Sequence, residues 1–126
     1  MSLRDPLARV RGLGSAREGV AHWWAQRLSA ILLIPLSIWF LLGASAYIGA
    51  DYPDARVYLA QPLNAFLMMA FVLTLLYHGM LGIQVVIEDY VEHRALELGL
   101  HVVVKLSAFL CALGTVFALI RITLGA

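Results

Sequence analysis

The chain has 126 residues, of which 62% are hydrophobic and 13% charged, with a formal net charge of +1 and one cysteine. A water-soluble domain of this size has too little interior to hide so much apolar side chain, so the composition points to an integral membrane protein. The small net charge supplies no field for binding nucleic acid. A single cysteine excludes an internal disulfide framework or a four-thiolate cluster within the chain.

The sequence reads as one membrane domain, 1–126, opening on a polar tail over residues 1–26. Arg4, Arg9, Arg11 and Arg17 punctuate a stretch containing Gly and Ser. Many arginines and few acids would suit a mitochondrial transit peptide. However, Asp5 and Glu18 interrupt the pattern, and Pro6, Gly12 and Gly14 break any amphipathic helix. The tail reads instead as a basic arm on anionic headgroups, or as a contact for a water-soluble partner.

From Leu28 to Ala50 no residue is charged, a length sufficient to cross a bilayer as a helix. Trp23 and Trp24 at one end and Tyr47 at the other suit interfacial aromatic belts. Pro35 removes one backbone hydrogen bond and predicts a kink. Residues 51–62 form a short connection with a surface-lying turn, and Pro62 suits the first turn of the next helix. The second span runs over 63–90, residues 91–98 form a tight polar loop, and the third span runs over 98–124. Lys105 falls in the first two turns of that third span, where its amine can snorkel to the interface.

Three spans place the termini on opposite sides. Arg4, Arg9, Arg11, Arg17, Arg27, Arg94 and Lys105 lie on one side, and Arg56 and Arg121 on the other. The basic excess places the N-terminus and the 91–98 loop in the cytoplasm, or in the matrix of a mitochondrion.

Within the second span, Tyr77 to His93 departs from what lipid alone would select. A helix advances about 100° and 1.5 Å per residue. Gly82 then lies about 40° from His78, Val85 about 20° to the other side, and Asp89 about 20° away, which makes one stripe. Gly82 leaves a notch one turn from the histidine, where a large planar group or another backbone could approach closely. Tyr90 lies about 18 Å along the axis from His78, so the histidine sits near mid-bilayer if the tyrosine is at a water interface. A histidine at that depth admits three readings: a core histidine bonded to a neighbouring helix, a proton relay, or an axial haem ligand. Tyr90 is a belt tyrosine or a phenol donor set beside a carboxylate. Arg27 is an interfacial stop signal or a carboxylate clamp. His93 and His101 read as interfacial fillers, and Glu88, about 100° from Asp89, as solvated.

The segment His78-Gly-Met-Leu-Gly82-Ile-Gln-Val-Val-Ile-Glu-Asp89-Tyr90 resembles the histidine–glycine–aspartate–tyrosine motif of the smaller hydrophobic membrane-anchor subunit of succinate dehydrogenase, respiratory complex II. His22-Trp23-Trp24-Ala25-Gln26-Arg27 resembles the approach to that family's first helix. The likeness extends over nearly the whole chain and is greatest to the alphaproteobacterial and mitochondrial branch.

The resemblance implies an all-α, three-helix anchor packed against a second, larger cytochrome b anchor subunit. It implies a shared haem b with His78 as axial ligand, a second histidine ligand from the larger subunit, and His22, Arg27 and Gly82 around the propionates and macrocycle. His22, His93 and His101 are too shallow to be the second ligand, and an intramembrane cysteine such as Cys111 is usually a small hydrophobe. Tyr90, supported by Asp89, would hydrogen-bond ubiquinone. Electrons from succinate would arrive through a flavoprotein subunit and an iron–sulfur subunit. This chain has neither the dinucleotide fingerprint nor the cysteines to hold flavin or clusters. It is therefore expected to be non-catalytic alone, working in the respiratory chain at a bacterial cytoplasmic membrane rather than a mitochondrial inner one. Two rivals remain: the anchor of a quinol:fumarate reductase, and a small proton-coupled transporter relaying through His78 and Asp89.

Overall fold

A computed structural model describes residues 19–47 and 49–125. The four tail arginines, Arg4 to Arg17, lie outside the described residues. The described chain is helical: α1 (Gly19–Tyr47), α2 (Tyr52–Ala60), α3 (Pro62–Tyr90) and α4 (Arg94–Leu124). Three of these, α1, α3 and α4, are long and apolar enough to cross a membrane. In hydrocarbon every backbone polar group must be satisfied within the segment, which leaves the helix as the local solution for such runs.

α1 begins nine residues before the uncharged run, so residues 19–26 belong to a helix rather than to the tail. Ala21, Ala25, Gln26 and Arg27 are strong helix formers, and nothing in the stretch breaks a helix. A charge at the membrane edge marks where the helix leaves lipid, not where it ends. Pro35 lies inside α1 without terminating it.

The connection to α3 is more ordered than a turn. Gly49, at φ 98°, occupies the left-handed region that reverses the chain after α1. The nine-residue α2 follows, with Pro53 in its first turn. Gln61 both closes α2 and precedes α3, and the ring of Pro62 holds it in the extended region at φ −64°, ψ 129°. Buried Asn64 braces the corner: its Nδ2 donates to the Tyr58 carbonyl and to Gln61 Oε1, both at 3.1 Å. The Tyr58 carbonyl, which also accepts the Gln61 backbone N–H at 3.2 Å, thereby takes a second hydrogen bond at the end of α2.

Only residues 91–93 separate α3 from α4, because Arg-Ala-Leu-Glu-Leu favours helix at once. α4 therefore starts four residues earlier than the apolar run suggests. Lys105 falls eleven residues, about 17 Å, beyond Arg94 instead of in the first two turns. Gly125, at φ 76°, caps α4 by donating to the Arg121 and Ile122 carbonyls.

α3 is the central helix, packed on α1 along one side and α4 along the other, while α2 lies against the far ends of α3 and α4. The described core is small: Leu36, Ala65, Phe71, Leu81, Ile87 and Leu119, with the polar Ser29, Asn64 and Gln84. Most large apolar side chains point outward, among them Ile31, Ile34, Ile38, Leu41, Val103, Phe109 and Phe117. In water this would be an extended sticky surface; against lipid and neighbouring helices it is expected.

Phe40 and Phe71 stack across α1 and α3 with centroids 4.7 Å apart and planes at 17°. Lipid tails are as apolar as the ring, so the stack acts through packing rather than burial from water. Phe71→Ala should loosen α1 from α3 by about 0.5–1.5 kcal/mol. A denaturant titration of the solubilised protein checks this, and an unshifted midpoint would remove any role for the stack.

Candidate functional site

His22, Gln26 and Ser29 recur at i, i+4 and i+7 and so share one face of α1. That face meets α3 at His78 and Gly82. Ser29 Oγ lies 2.9 Å from His78 Nδ1 and donates to the Gln26 carbonyl at 3.0 Å. The Gln26 side-chain nitrogen lies 3.4 Å from His78 Nε2. A Cβ built on Gly82 would meet that same nitrogen at 3.7 Å. Ser29 is buried, and His78, Gly82, His22 and Gln26 are half-buried.

Both ring nitrogens of His78 have a polar partner on α1, and which of them carries the hydrogen depends on the tautomer. With the Ser29 proton given to the Gln26 carbonyl, the Ser29 oxygen accepts from Nδ1–H and Nε2 keeps its lone pair toward Gln26. The histidine is thus gripped at both nitrogens in the α1–α3 seam.

The seam is not self-satisfied. Gln26 Oε1 and His22 Nε2 are buried without a hydrogen-bond partner. An unmet polar atom in a dry interior costs about 1–3 kcal/mol, so such atoms mark places where something outside the chain completes the site. Sequence reading passed over Ser29 and Gln26. The signal was present in the helical spacing of His22, Gln26 and Ser29.

The expected stripe along α3 divides in two. His78 and Gly82 lean toward α1, so the Gly82 notch receives the Gln26 amide rather than lying open. Val85 is 39% exposed and Asp89 is exposed, both turned outward. Arg27 borders the uncharged run of α1, eight residues, about 12 Å, beyond Gly19 and two residues from Ser29, which brings it close to the level of His78 along the bundle. Its guanidinium lies over the Trp23 ring, 5.3 Å from the centroid, and Trp24 meets Trp23 edge-on. Arg27 is thus exposed beside the seam, on an aromatic support.

At the α3 terminus Tyr90 is 81% exposed and Asp89 stands beside it. One turn away on the α4 side, His101 Nε2 lies 3.9 Å from Glu88 Oε1 and is otherwise without a partner. His101 thus packs against the α3 end, while Glu88 keeps more than half its surface. His93 precedes α4 and is exposed. Cys111 lines an apolar groove of about 290 Å³ between α3 and α4, with Gly79, Met80 and Ser107 but not His78. Among the described residues no three His, Cys, Asp or Glu side chains converge on a metal-holding position. A metal at His78 would need its remaining ligands from elsewhere.

The fold and seam define a class: a three-span helical membrane protein with a mid-helix histidine held by a neighbouring helix. Comparison with known proteins refines that class. Residues 1–120 match the family described as succinate dehydrogenase/fumarate reductase transmembrane subunit, and the chain belongs to that family. It is 36% identical over 115 residues to the succinate dehydrogenase hydrophobic membrane anchor subunit of Rickettsia bellii, covering 91% of this chain and 92% of that one. It is 32% identical over 87 residues to the subunit of the same name from Paracoccus denitrificans, covering 69% and 67%. It is also 36% identical over 79 residues to the succinate dehydrogenase membrane anchor subunit of Reclinomonas americana, covering 60% and 66%. No solved structure matches significantly.

The 3.7 Å clearance at Gly82 separates two substitutions. Gly82→Ala should be accepted, since its Cβ makes an ordinary contact. Gly82→Leu should push Gln26 aside, prise α1 from α3 and lower the yield of assembled complex severalfold. Blue-native electrophoresis of membranes checks this, and equal yields for both variants would mean that Gly82 does not face α1.

Proposed function

We propose that this chain anchors a succinate:ubiquinone oxidoreductase in the bacterial cytoplasmic membrane, helps to hold a haem b, and forms one wall of the ubiquinone-reduction site. The observation that carries the haem reading is the setting of His78 in the middle of α3, with Nδ1 2.9 Å from Ser29 Oγ and Nε2 facing the Gln26 side chain, whose Oε1 has no partner. The donor set fits: neutral imidazole is a common iron ligand, and only the flexible end of Gln26 stands before it. Gly82 adds no side chain in the way. When bound, haem b supplies one-electron chemistry at a fixed position. Arg27 offers a planar fork suited to a propionate carboxylate, and His22, on the α1 face that meets α3, an unmet ring nitrogen. The second axial histidine comes, in this reading, from the larger cytochrome b anchor subunit.

At the α3 end the phenol of Tyr90 is free to donate to a quinone carbonyl, and Asp89 beside it orients that phenol or passes a proton. Electrons arrive from succinate through the flavoprotein and iron–sulfur subunits. The basic residues put this end on the cytoplasmic side, where soluble subunits dock. The family description also covers fumarate reductases. Relative succinate:quinone and quinol:fumarate rates separate the two directions. Asp89 stands apart from the His78 seam at an exposed position, which gives a transporter relay no continuous path.

His78→Ala should leave insertion intact, since the span remains apolar, and should remove most of the haem. The pyridine haemochrome of the purified complex measures it, and unchanged haem sinks the ligand assignment. Tyr90→Phe removes one hydroxyl. It should lower succinate:quinone turnover roughly threefold to tenfold while sparing succinate oxidation by an artificial acceptor upstream. Haem content should be unaffected, because Tyr90 is about 18 Å along the helix from His78. Parental quinone turnover across a full titration would return Tyr90 to the aromatic belt.

A further inference from the structure

We infer that Ser29 is a positioning residue for His78: as the acceptor for the Nδ1 hydrogen it selects the tautomer that offers Nε2 to iron, and it tunes how strongly that nitrogen donates. This rests on the ligand role proposed above for His78. Ser29 is 6% exposed and sits on α1, 49 residues away in sequence, so its contact is built by the fold and not by local chain geometry. An imidazole that ligates through Nε2 carries its hydrogen on Nδ1, and Ser29 Oγ, 2.9 Å away, accepts it while giving its own proton to the Gln26 carbonyl one turn back.

A ligating imidazole that gives its far N–H to an acceptor is a stronger electron donor and holds a fixed ring plane, and loss of such a partner typically weakens metal binding by about 10–100-fold. The Ser29 hydroxyl is a neutral acceptor, so its pull is moderate. Removing it should make His78 a weaker donor and favour reduced over oxidised iron. Both alternatives open to the ring after that loss are unfavourable: an unmet N–H in a dry seam, or a turn to the tautomer whose Nε2 carries the hydrogen.

The test is potentiometry and low-temperature EPR on the assembled complex. In Ser29→Ala the ratio of reduced to oxidised haem at a fixed ambient potential should rise about threefold to tenfold, an upward midpoint shift of up to about 59 mV for a one-electron couple. The ferric low-spin signal should move or broaden. Ser29→Thr keeps the hydroxyl, and in a helix Thr can bond the same carbonyl, so it should retain the parental midpoint. Ser29→Cys fills nearly the same volume with a poor acceptor; it should behave as the alanine variant, and it decides the matter if the alanine variant does not assemble. A parental midpoint and spectrum in the cysteine variant would overturn the inference and reduce Ser29 to a space-filler. Should His78→Ala retain its haem, the ligand assignment itself fails, and Ser29 then supports a structural histidine.

Discussion

The hydrogen bond between Ser29 and His78 is the contact on which the arrangement of the bundle depends. Apolar side chains in lipid can slide past one another at little cost, since the hydrocarbon is as hospitable as a neighbouring helix. A polar pair cannot slide, because each atom it abandons is left unmet. With Ser29 opposite His78 and Gln26 opposite Gly82, α1 has one register on α3. That register sets the depth of His22 and Arg27 relative to the histidine. The antiparallel descent of α4, tied by three residues after Tyr90, then brings His101 to Glu88.

Around this contact, the chain divides its polar chemistry between two levels. In the middle of α3 the His78 ring is held at both nitrogens by α1. At the membrane edge Asp89 and Tyr90 are presented outward on the same helix. Rigidity suits the first and accessibility the second. α3 serves both because its middle is flanked by two helices, while at its end Asp89 and Tyr90 stay exposed. Of the buried polar atoms without a partner, Gln26 Oε1 and His22 Nε2 belong to the α1 face that meets α3, and His101 Nε2 to the membrane-edge level.

The three spans were legible because lipid enforces long apolar runs, and the start of α3 because Pro62 announces it. The start of α1 at Gly19 was not, since a helix continues past the charges at which an apolar run stops. The early start of α4 escaped notice for the same reason. His78 and Gly82 were legible as neighbours on one face, but their partner was not. A serine in an apolar run looks ordinary until the histidine 49 positions away is folded against it. Arg27 was legible as a cation bordering an apolar run, but its level relative to His78 was not, because that is set by register between helices. The approach of His101 to Glu88 likewise depends on a reversal that no local pattern encodes.

The sparse core bears on how such a chain is made. Six buried apolar side chains among the described residues leave little to hold the helices together once each has been inserted. Each helix is stable in lipid by itself, so insertion and packing are separate events, and packing is the weaker one. A newly made copy therefore spends its early life as loosely associated helices with a polar seam uncovered. Unassembled copies are in consequence good substrates for membrane proteases that extract poorly packed helices. Cellular abundance of the chain should track the supply of whatever completes the seam rather than its own rate of synthesis.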